Sequence, residues 1–440
     1  MMVMTAVSSN LNWGGGNWRH ILGSDAKGYY AYLPAVFIYH DLNFGFFDAI
    51  EKEEYHDPHL YYDYRAEAHG ARIDKYYAGT ALAELPFFLA AHGLTLLSGG
   101  DADGYSSFYL IAVNIAALFY LFIGLLFLDR SLARWSIGSG ARAVTLVATV
   151  FGTNLFYYST CEPGMSHVYS FAAVSVFIRA SAKYFSRPDG RMLVLMAALL
   201  GLIVLIRPVN GLIVLAWPFV AGGWRALWDG LAFAIKRWDS AIAGLAVFTG
   251  IVAVQGILYV ISTGHFFVDS YTGEGIDLFA PHVVDMLFSY KKGLFLYTPM
   301  YVLALVGGYH LWCSGRFVFV AWAGCLLVVT YVLSSWSQWY YGGSFSSRVF
   351  VEYLPLFMIP LGMAVQGIVA RARRALFLIV VALLVVLCQV QTYQYRYYQI
   401  HWSDMTKEKY WNVFLRVDEL VQVPDSDPLI LDPRLSRSGT

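Results

Sequence analysis

The sequence has little charge for its length. Of its 440 residues only 14% are charged and 58% are hydrophobic, whereas soluble domains carry roughly 25% charged and 45–50% apolar residues. This deficit excludes a water-soluble globular domain, a disordered chain and a coiled coil. The 30 basic and 30 acidic residues give a net charge of +0, so no overall field attracts nucleic acid. The composition that remains is typical of a polytopic membrane protein.

Cysteine and phosphate-binding glycine loops are also scarce. The 4 cysteines form neither a CxxC metal motif nor a disulfide framework. The GGG at 14–16 is not followed by GK[ST] or by a strand-turn-helix pattern. The sequence therefore indicates no site for ATP or for a soluble nucleotide-linked substrate.

Long apolar runs, by contrast, are abundant. A helix needs about 20 apolar residues to cross a bilayer, because lipid offers no partners for backbone groups. Such runs lie at about 107–128, 142–160, 165–183, 241–263, 292–312, 317–336, 350–369 and 375–392. A further stretch, 192–223, is divided by Arg207-Pro208, which predicts a tight hairpin of two short helices. We predict an all-α polytopic bundle of about ten to eleven transmembrane helices.

Lysine and arginine in the short loops predict the orientation of the bundle. With these spans, the basic residues of five loops fall on one side, which is then the cytoplasm: Arg130, Arg134 and Arg142; Lys183, Arg187 and Arg191; Arg225, Lys236 and Arg237; Arg316; and Arg371, Arg373 and Arg374. The long segments 14–106, about 264–291, 337–349 and the tail after 392 lie on the opposite, extracytoplasmic side.

Four parts are predicted along the chain. We interpret residues 1–13 as the remnant of a first transmembrane helix, because an extracytoplasmic segment normally follows a crossing. Residues 14–106 form an outer loop, residues 107–392 the transmembrane bundle, and residues 393–440 an outer-face tail.

The outer loop contains two apolar stretches that are interrupted by proline. Pro34 lies within 28–39, and Pro86 lies within 76–97, which also contains Glu84. These features favour helices lying in the membrane interface rather than spans.

Polar groups near the membrane surface are costly unless they are paired or functional. The predicted topology brings such groups to the outer face: Asp25, Lys75, Glu162, His167, Arg207, Lys292 and Arg348. Cations bind a phosphate while a carboxylate accepts a proton. The set therefore suits a ligand that carries a phosphate at the headgroup level and a reacting group beside it.

At this point the chain resembles the GT-C membrane glycosyltransferases, especially the protein O-mannosyltransferases and the lipid A aminoarabinose transferase. The likeness extends from about residue 20 to 370 and rests on short motifs in a fixed order: Asp25 with Tyr29 and Tyr30, KYYAGTALAELPFF at 75–88, MSHVYSF at 165–171, RPVNGL at 207–212, SYKKGLFLYTP at 289–299 and WYYGGSFSSR at 339–348. The resemblance implies transfer of a sugar from a polyprenyl-phosphate donor to a glycan, lipid or protein acceptor. It also implies a bacterial inner membrane, with the site on its extracytoplasmic face.

The resemblance also implies roles for individual residues. Asp25 corresponds to the family's first-loop acid and acts as general base in a single displacement that inverts the anomeric centre. Lys75, in the KYYAG element, corresponds to the phosphate-contacting lysine. Arg348, Lys292 and Arg207 stabilise charge on the leaving phosphate.

Three more residues complete the candidate substrate-binding set: Tyr29, His167 and Glu162. Asp25 is not followed by a second acid, as it often is in the family, and this departure leaves open whether a divalent metal is held there. Glu162 is the carboxylate that could supply the missing ligand.

Simpler interpretations exist for the same residues. Asp25 after Ser24 is typical of a helix N-cap, and Lys75 and Lys292 are typical of membrane-anchoring side chains. Arg207 beside Pro208 could serve backbone groups that the helix break frees. His167 could be an ordinary hydrogen-bonded helix residue, and the Tyr- and Trp-rich runs an interfacial belt.

Two other classes of protein compete with the transferase hypothesis. A secondary transporter or lipid flippase could use the broken helix at Arg207-Pro208 as a binding site. A non-catalytic scaffold of the cell envelope predicts no deep polar cavity.

Overall fold

The computed structural model describes residues 1–58, 60–368 and 370–417, which are mostly helical. The α-helices are α1 (Met2–Asn12), α2 (Asp25–Phe37), α3 (Gly79–Ser98), α4 (Ser107–Arg134), α5 (Ser139–Phe151), α6 (Leu155–Thr160), α7 (Ser166–Ser186), α8 (Gly190–Ile206), α9 (Trp217–Ala221), α10 (Trp224–Lys236), α11 (Trp238–Thr263), α12 (Val283–Phe288), α13 (Leu294–Tyr297), α14 (Met300–Val306), α15 (Gly308–Ser314), α16 (Arg316–Ser334), α17 (Leu354–Gly367), α18 (Arg371–Arg396) and α19 (Lys407–Val413). Tighter 3-10 helices cover Asn17–His20, Pro208–Ala216 and Arg348–Tyr353, and a wider π-helix covers Ala49–Glu54.

A small hairpin departs from the predicted all-α pattern. Its strands, β1 (Arg65–Ala68) and β2 (Ala71–Asp74), pair antiparallel with Arg65 opposite Asp74. The two-residue turn, His69-Gly70, has positive φ at both positions, which matches the twist of a tight hairpin. The hairpin leads directly into the KYYAG element.

Six helical segments of the described residues are long and apolar enough to cross a bilayer: Gly79–Ser98, Ser107–Arg134, Trp238–Thr263, Arg316–Ser334, Arg348–Gly367 and Arg371–Arg396. The protein is therefore a helical integral membrane protein. These six candidate spans are fewer than the ten to eleven crossings that the sequence predicts.

Two of the predicted crossings are divided by backbone breaks. The run 142–160 divides at Gly152 into α5 and α6, and the run 292–312 divides near Pro299 and Gly307 into α13, α14 and α15. Proline lacks the N–H that continues a helix. A hydropathy window averages the polarity of side chains and does not register breaks in the backbone. It therefore predicts one long span where the structure has two or three short helices.

Three other predicted crossings also fall short: the run 165–183 and the two halves of the hairpin at 192–223. Helix α7 has 21 residues, but Arg179, Lys183 and several serines reduce its hydropathy. The hairpin predicted at 192–223 is present, yet α8 has only 17 residues. Arg207 ends α8 in an extended conformation. The chain then returns until the Trp217 ring lies 5.8 Å from that of Phe185, near the end of α7.

The two helices predicted to lie in the interface are placed differently. Ten consecutive residues of α2, 26–35, are buried, so this helix is enclosed by protein instead of resting one face on lipid. Helix α3 belongs to the six candidate spans. Glu84, whose charge argued against a crossing, is only 1% exposed, because neighbouring helices cover it.

Close helix contacts hold the bundle together. Gly124 of α4 lies against the Phe171 ring of α7, and Gly244 of α11 lies against Ala197 of α8; small residues of this kind allow membrane helices to approach closely. Helices α8 and α11 run parallel, since Gly190 lies beside Ser240 at one end and Gly201 lies beside Ile251 farther along. We call this the Gly190 end of the bundle and the opposite end the Arg207 end.

The two ends of the chain were predicted to be a remnant helix and a tail. Residues 1–13 contain α1, where Ser8 Oγ donates to Asn114 Oδ1 at 2.9 Å and so attaches the helix to α4. The predicted tail 393–440 begins inside α18 and includes α19. Its residues 418–440 lie outside the described residues.

Candidate active site

A cavity of about 360 Å³ lies at the Arg207 end of the bundle. Its wall combines the start of α2, the KYYAG element, the break after α8, the end of α16, the first residue of the 3-10 helix Arg348–Tyr353 and several loops. It is lined by Ser24, Asp25, Tyr29, Tyr62, Lys75, Tyr76, Tyr77, Ile206, Arg207, Pro208, Val209, Tyr271, Glu274, Ile276, Val332, Trp336, Gln338, Tyr341, Gly342, Gly343, Arg348 and Trp402. The cavity thus joins aromatic surface, apolar surface and five charged side chains.

Asp25 is the first residue of α2 and points into this cavity. Its Oδ2 accepts a hydrogen bond from Arg348 Nη2 at 2.5 Å, and its Oδ1 accepts one from the Tyr76 hydroxyl at 2.7 Å. In the part of the chain that the structure describes, no side chain caps the helix start, where Ser24 holds the N-cap position, so the Asp25 carboxylate does not serve as the N-cap that the sequence also allowed.

Arg348 has bonding capacity beyond this ion pair. Its side chain is 8% exposed, and within the described residues its Nε and Nη1 have no hydrogen-bond partner. Buried donors without partners are costly and uncommon. The guanidinium therefore keeps donor capacity that its contacts within the described residues do not use.

The protonation of Asp25 follows from these neighbours. Burial by itself raises the pKa of Asp25, but the Arg348 guanidinium and the Tyr76 hydroxyl outweigh burial and lower the pKa to about 2. Burial, with the Asp25 charge, raises the pKa of Tyr76 well above its ordinary value. Asp25 is thus ionised at neutral pH and Tyr76 remains a donor.

Lys75 lies on another wall of the cavity. Its Nζ is 2.7 Å from Glu274 Oε1 and 5.0 Å from the centre of the Tyr271 ring. The ammonium group is therefore already paired with a carboxylate, and a ligand phosphate would have to share it with Glu274.

Arg207 lines the cavity and is supported from behind by buried groups. Its Nη1 is 3.5 Å from Glu352 Oε1, and the same oxygen is 3.0 Å from His167 Nδ1. Glu352 is 0% and His167 1% exposed. His167 therefore belongs to the support of the cavity wall and does not line the cavity.

Of the remaining predicted residues, one lines the cavity and two lie outside its lining. Tyr29 lines the cavity, with its ring 4.8 Å from that of Tyr76. Glu162 accepts a hydrogen bond from the Tyr157 hydroxyl at 3.1 Å. Lys292 donates to the Ser344 carbonyl. Neither Glu162 nor Lys292 is part of the lining.

The structure adds residues that the sequence reasoning missed. Tyr76 lies within the quoted KYYAG element, but nothing in the motif distinguishes it from Tyr77. Glu352 carried a usable signal, because an ionisable residue inside an apolar run is a candidate functional residue. Glu274 and Tyr271 come from a loop whose course the sequence does not predict, and Trp402 lies in a run interpreted as interfacial belt.

Within the described ranges, no group of three or more His, Cys, Asp or Glu side chains is arranged to hold a metal ion. Comparisons with models of known families, with curated proteins and with solved structures found no match.

Proposed function

We propose that the protein is a membrane glycosyltransferase that moves a sugar from a polyprenyl-phosphate donor to a glycan, lipid or protein acceptor. The observation that carries the proposal is the contact between Asp25 and Arg348 inside a cavity that Arg207 and Lys75 also line. A carboxylate that accepts a proton and cations that bind a phosphate are the two groups that such a transfer requires.

The proposed reaction is a single displacement. Asp25 accepts a proton from the acceptor nucleophile as that atom bonds to the anomeric carbon. The bond from this carbon to the phosphate oxygen breaks on the opposite side, and its electron pair leaves with the lipid phosphate. The anomeric centre is inverted.

The cations stabilise the departing charge. Arg348 and Arg207 are the main candidates, because two donor atoms of Arg348 have no partner among the described residues and Arg207 is held in the wall by Glu352. Lys75 contributes a further positive charge beside Glu274.

Donor binding also prepares the base. A carboxylate with a pKa of about 2 is a weak base, since general bases work best near the operating pH. A donor phosphate competes with Asp25 for Arg348, which weakens the ion pair that lowers the Asp25 pKa. The carboxylate becomes more basic when the donor is in place.

The size and lining of the cavity suit this ligand. Its volume of about 360 Å³ lies within the common range for small-ligand sites, about 300–1,000 Å³. Ile206, Val209, Ile276 and Val332 supply apolar wall for the start of a polyprenyl chain, and the aromatic rings offer faces to a sugar.

The GT-C-like architecture belongs to the same proposal. Ten to eleven crossings then require that several shorter or broken helices also pass through the membrane. A bacterial inner membrane and an extracytoplasmic cavity complete the proposal.

The test is transfer by the full chain in liposomes that contain polyprenyl-phosphate sugars. Mass spectrometry of co-purified lipid selects the sugar to be tested. We expect Asp25→Asn to abolish transfer while donor binding persists, and Asp101→Asn, which removes an exposed acid, to leave transfer unchanged. Undiminished turnover in Asp25→Asn would exclude Asp25 as the base. Donor binding with no transfer in the unaltered protein would favour the lipid-transporter alternative.

A further inference from the structure

Helix α10, Trp224–Lys236, occupies a segment for which the sequence predicts only a basic cytoplasmic loop. It follows the helical hairpin at 192–223 and precedes the candidate span α11. One side of α10 packs on the protein: Leu227 and Gly230 are buried, and the Gly230 carbonyl accepts a hydrogen bond from the Tyr184 hydroxyl at 2.7 Å. The helix is therefore fixed against α7.

A second side of α10 is an exposed apolar stripe. Trp224, Trp228, Leu231 and Ile235 are spaced so that they share one face of a helix, and they are 64%, 58%, 36% and 77% exposed. The two tryptophan rings stack with centroids 6.2 Å apart. Exposed apolar patches of this kind mark a binding surface.

A third side of α10 is polar. Arg225, Asp229 and Lys236 are exposed there, and within the described residues Arg225 and Lys236 make no ion pair at or below 4.0 Å. The helix thus has a protein-facing side, an apolar side and a basic side. This division suits a helix that lies flat at a membrane surface.

The position of α10 in the bundle agrees with that orientation. Its last residue is followed by Arg237 and then by α11, whose first turn lies beside Gly190. Helix α8 separates the Gly190 end from the cavity by 17 residues, or about 25 Å at the α-helical rise. This length is comparable to the roughly 30 Å of a bilayer core, so α10 and the cavity lie near opposite membrane boundaries.

We infer that α10 lies in the headgroup region at the Gly190 end, with its Trp/Leu/Ile stripe among the acyl chains and with Arg225 and Lys236 bound to the phosphates of anionic lipids. Tryptophan is suited to this depth, and basic side chains are attracted to anionic leaflets. The inference rests on α10 and its position in the bundle and is independent of the proposed transferase activity.

The first test measures the depth of adjacent residues. Cys161 and Cys313, the two free cysteines that are not buried, are replaced by alanine in the full chain. A spin label is then introduced by Trp228→Cys or by Asp229→Cys and examined in nanodiscs. We expect the label at 228 to collide mainly with oxygen and the label at 229 mainly with a water-soluble nickel chelate. Equal exposure of both labels to the chelate would overturn the inference.

The second test measures lipid preference. The double variant Arg225→Gln/Lys236→Gln is compared with Arg72→Gln/Lys407→Gln, which removes two exposed basic residues away from α10. All proteins are released from nanodiscs of phosphatidylcholine and phosphatidylglycerol at a ratio of 3:1, and bound lipid is counted by native mass spectrometry. We expect the α10 variant to lose enrichment of phosphatidylglycerol by roughly tenfold, because each basic residue near an anionic surface contributes measurably to binding. Unchanged enrichment, or an equal loss in the control variant, contradicts the proposed site.

Discussion

Replacing Arg348 by methionine removes the guanidinium that pairs with Asp25 at 2.5 Å and keeps a side chain of similar length. Asp25 has a pKa of about 2 against an ordinary 3.8. At 1.36 kcal/mol per pH unit, the difference corresponds to about 2 kcal/mol in favour of the ionised carboxylate. In Arg348→Met the opposing effect of burial persists, so we expect the pKa of Asp25 to rise by about two units, to 3.8 or above.

The assay is an infrared titration of the carboxylic-acid C=O band in the full-length protein in detergent. Asp25→Asn identifies the band, and Arg348→Lys, which retains a cation, should keep its midpoint low. Because the folded-state pKa of Asp25 is depressed, the ion pair stabilises the native protein above about pH 3.8. This stabilisation is lost as the pH falls towards 2. A band with the same midpoint in Arg348→Met and the unaltered protein would refute the assignment of the low pKa to Arg348.

Three further predictions concern the wall and support of the cavity. Tyr76→Phe removes a hydrogen bond that lowers the pKa of Asp25, so the acidic limb of the pH–rate profile for transfer should move to higher pH by roughly one unit, since hydrogen bonds to charged groups contribute about 1.5–3 kcal/mol; an unchanged profile would contradict this. Glu352→Gln removes the ionic partner of Arg207, so the KM for the donor should rise severalfold with kcat nearly constant, and an equal fall in kcat would show a different role. Gly79→Ala places a Cβ 2.3 Å from the backbone of α8 and should destabilise the protein by about 1–3 kcal/mol. Thermal unfolding would measure the loss, with Gly93→Ala as the control, since no atom of the described residues lies within 4 Å of the added Cβ there; equal melting temperatures would count against the close packing.

The membrane class and most of the long helices follow from composition and hydropathy. The predicted runs that became α4, α11, α16 and α18 lie within a few residues of the observed helices, because long apolar segments have few alternatives in lipid. The break at Arg207-Pro208 was also predictable. The breaks at Gly152 and Gly307 were missed, because a hydropathy window does not register the local turn signals Gly152-Thr153-Asn154 and Gly307-Gly308.

The candidate site was partly predictable from the distribution of rare charges. Sorting them by membrane side selected Asp25, Lys75, Arg207 and Arg348, and the structure places all four on one cavity. The same sorting selected Lys292, which donates to the Ser344 carbonyl and is not part of the cavity lining. Hydropathy predicts which residues lie near the membrane surface, whereas the direction in which a side chain points depends on how the helices pack.

The two members of the central ion pair are separated by 323 positions in the chain. At about 5–20 residues per second, the ribosome releases the acid roughly 15–65 s before its arginine. Throughout that interval the cavity lacks the wall that the later segment supplies, and the early carboxylate has no guanidinium beside it. Assembly of the cavity is therefore one of the last events in the biogenesis of this protein, and a chain that stops before Arg348 contains most of the helices but lacks the arginine that pairs with Asp25.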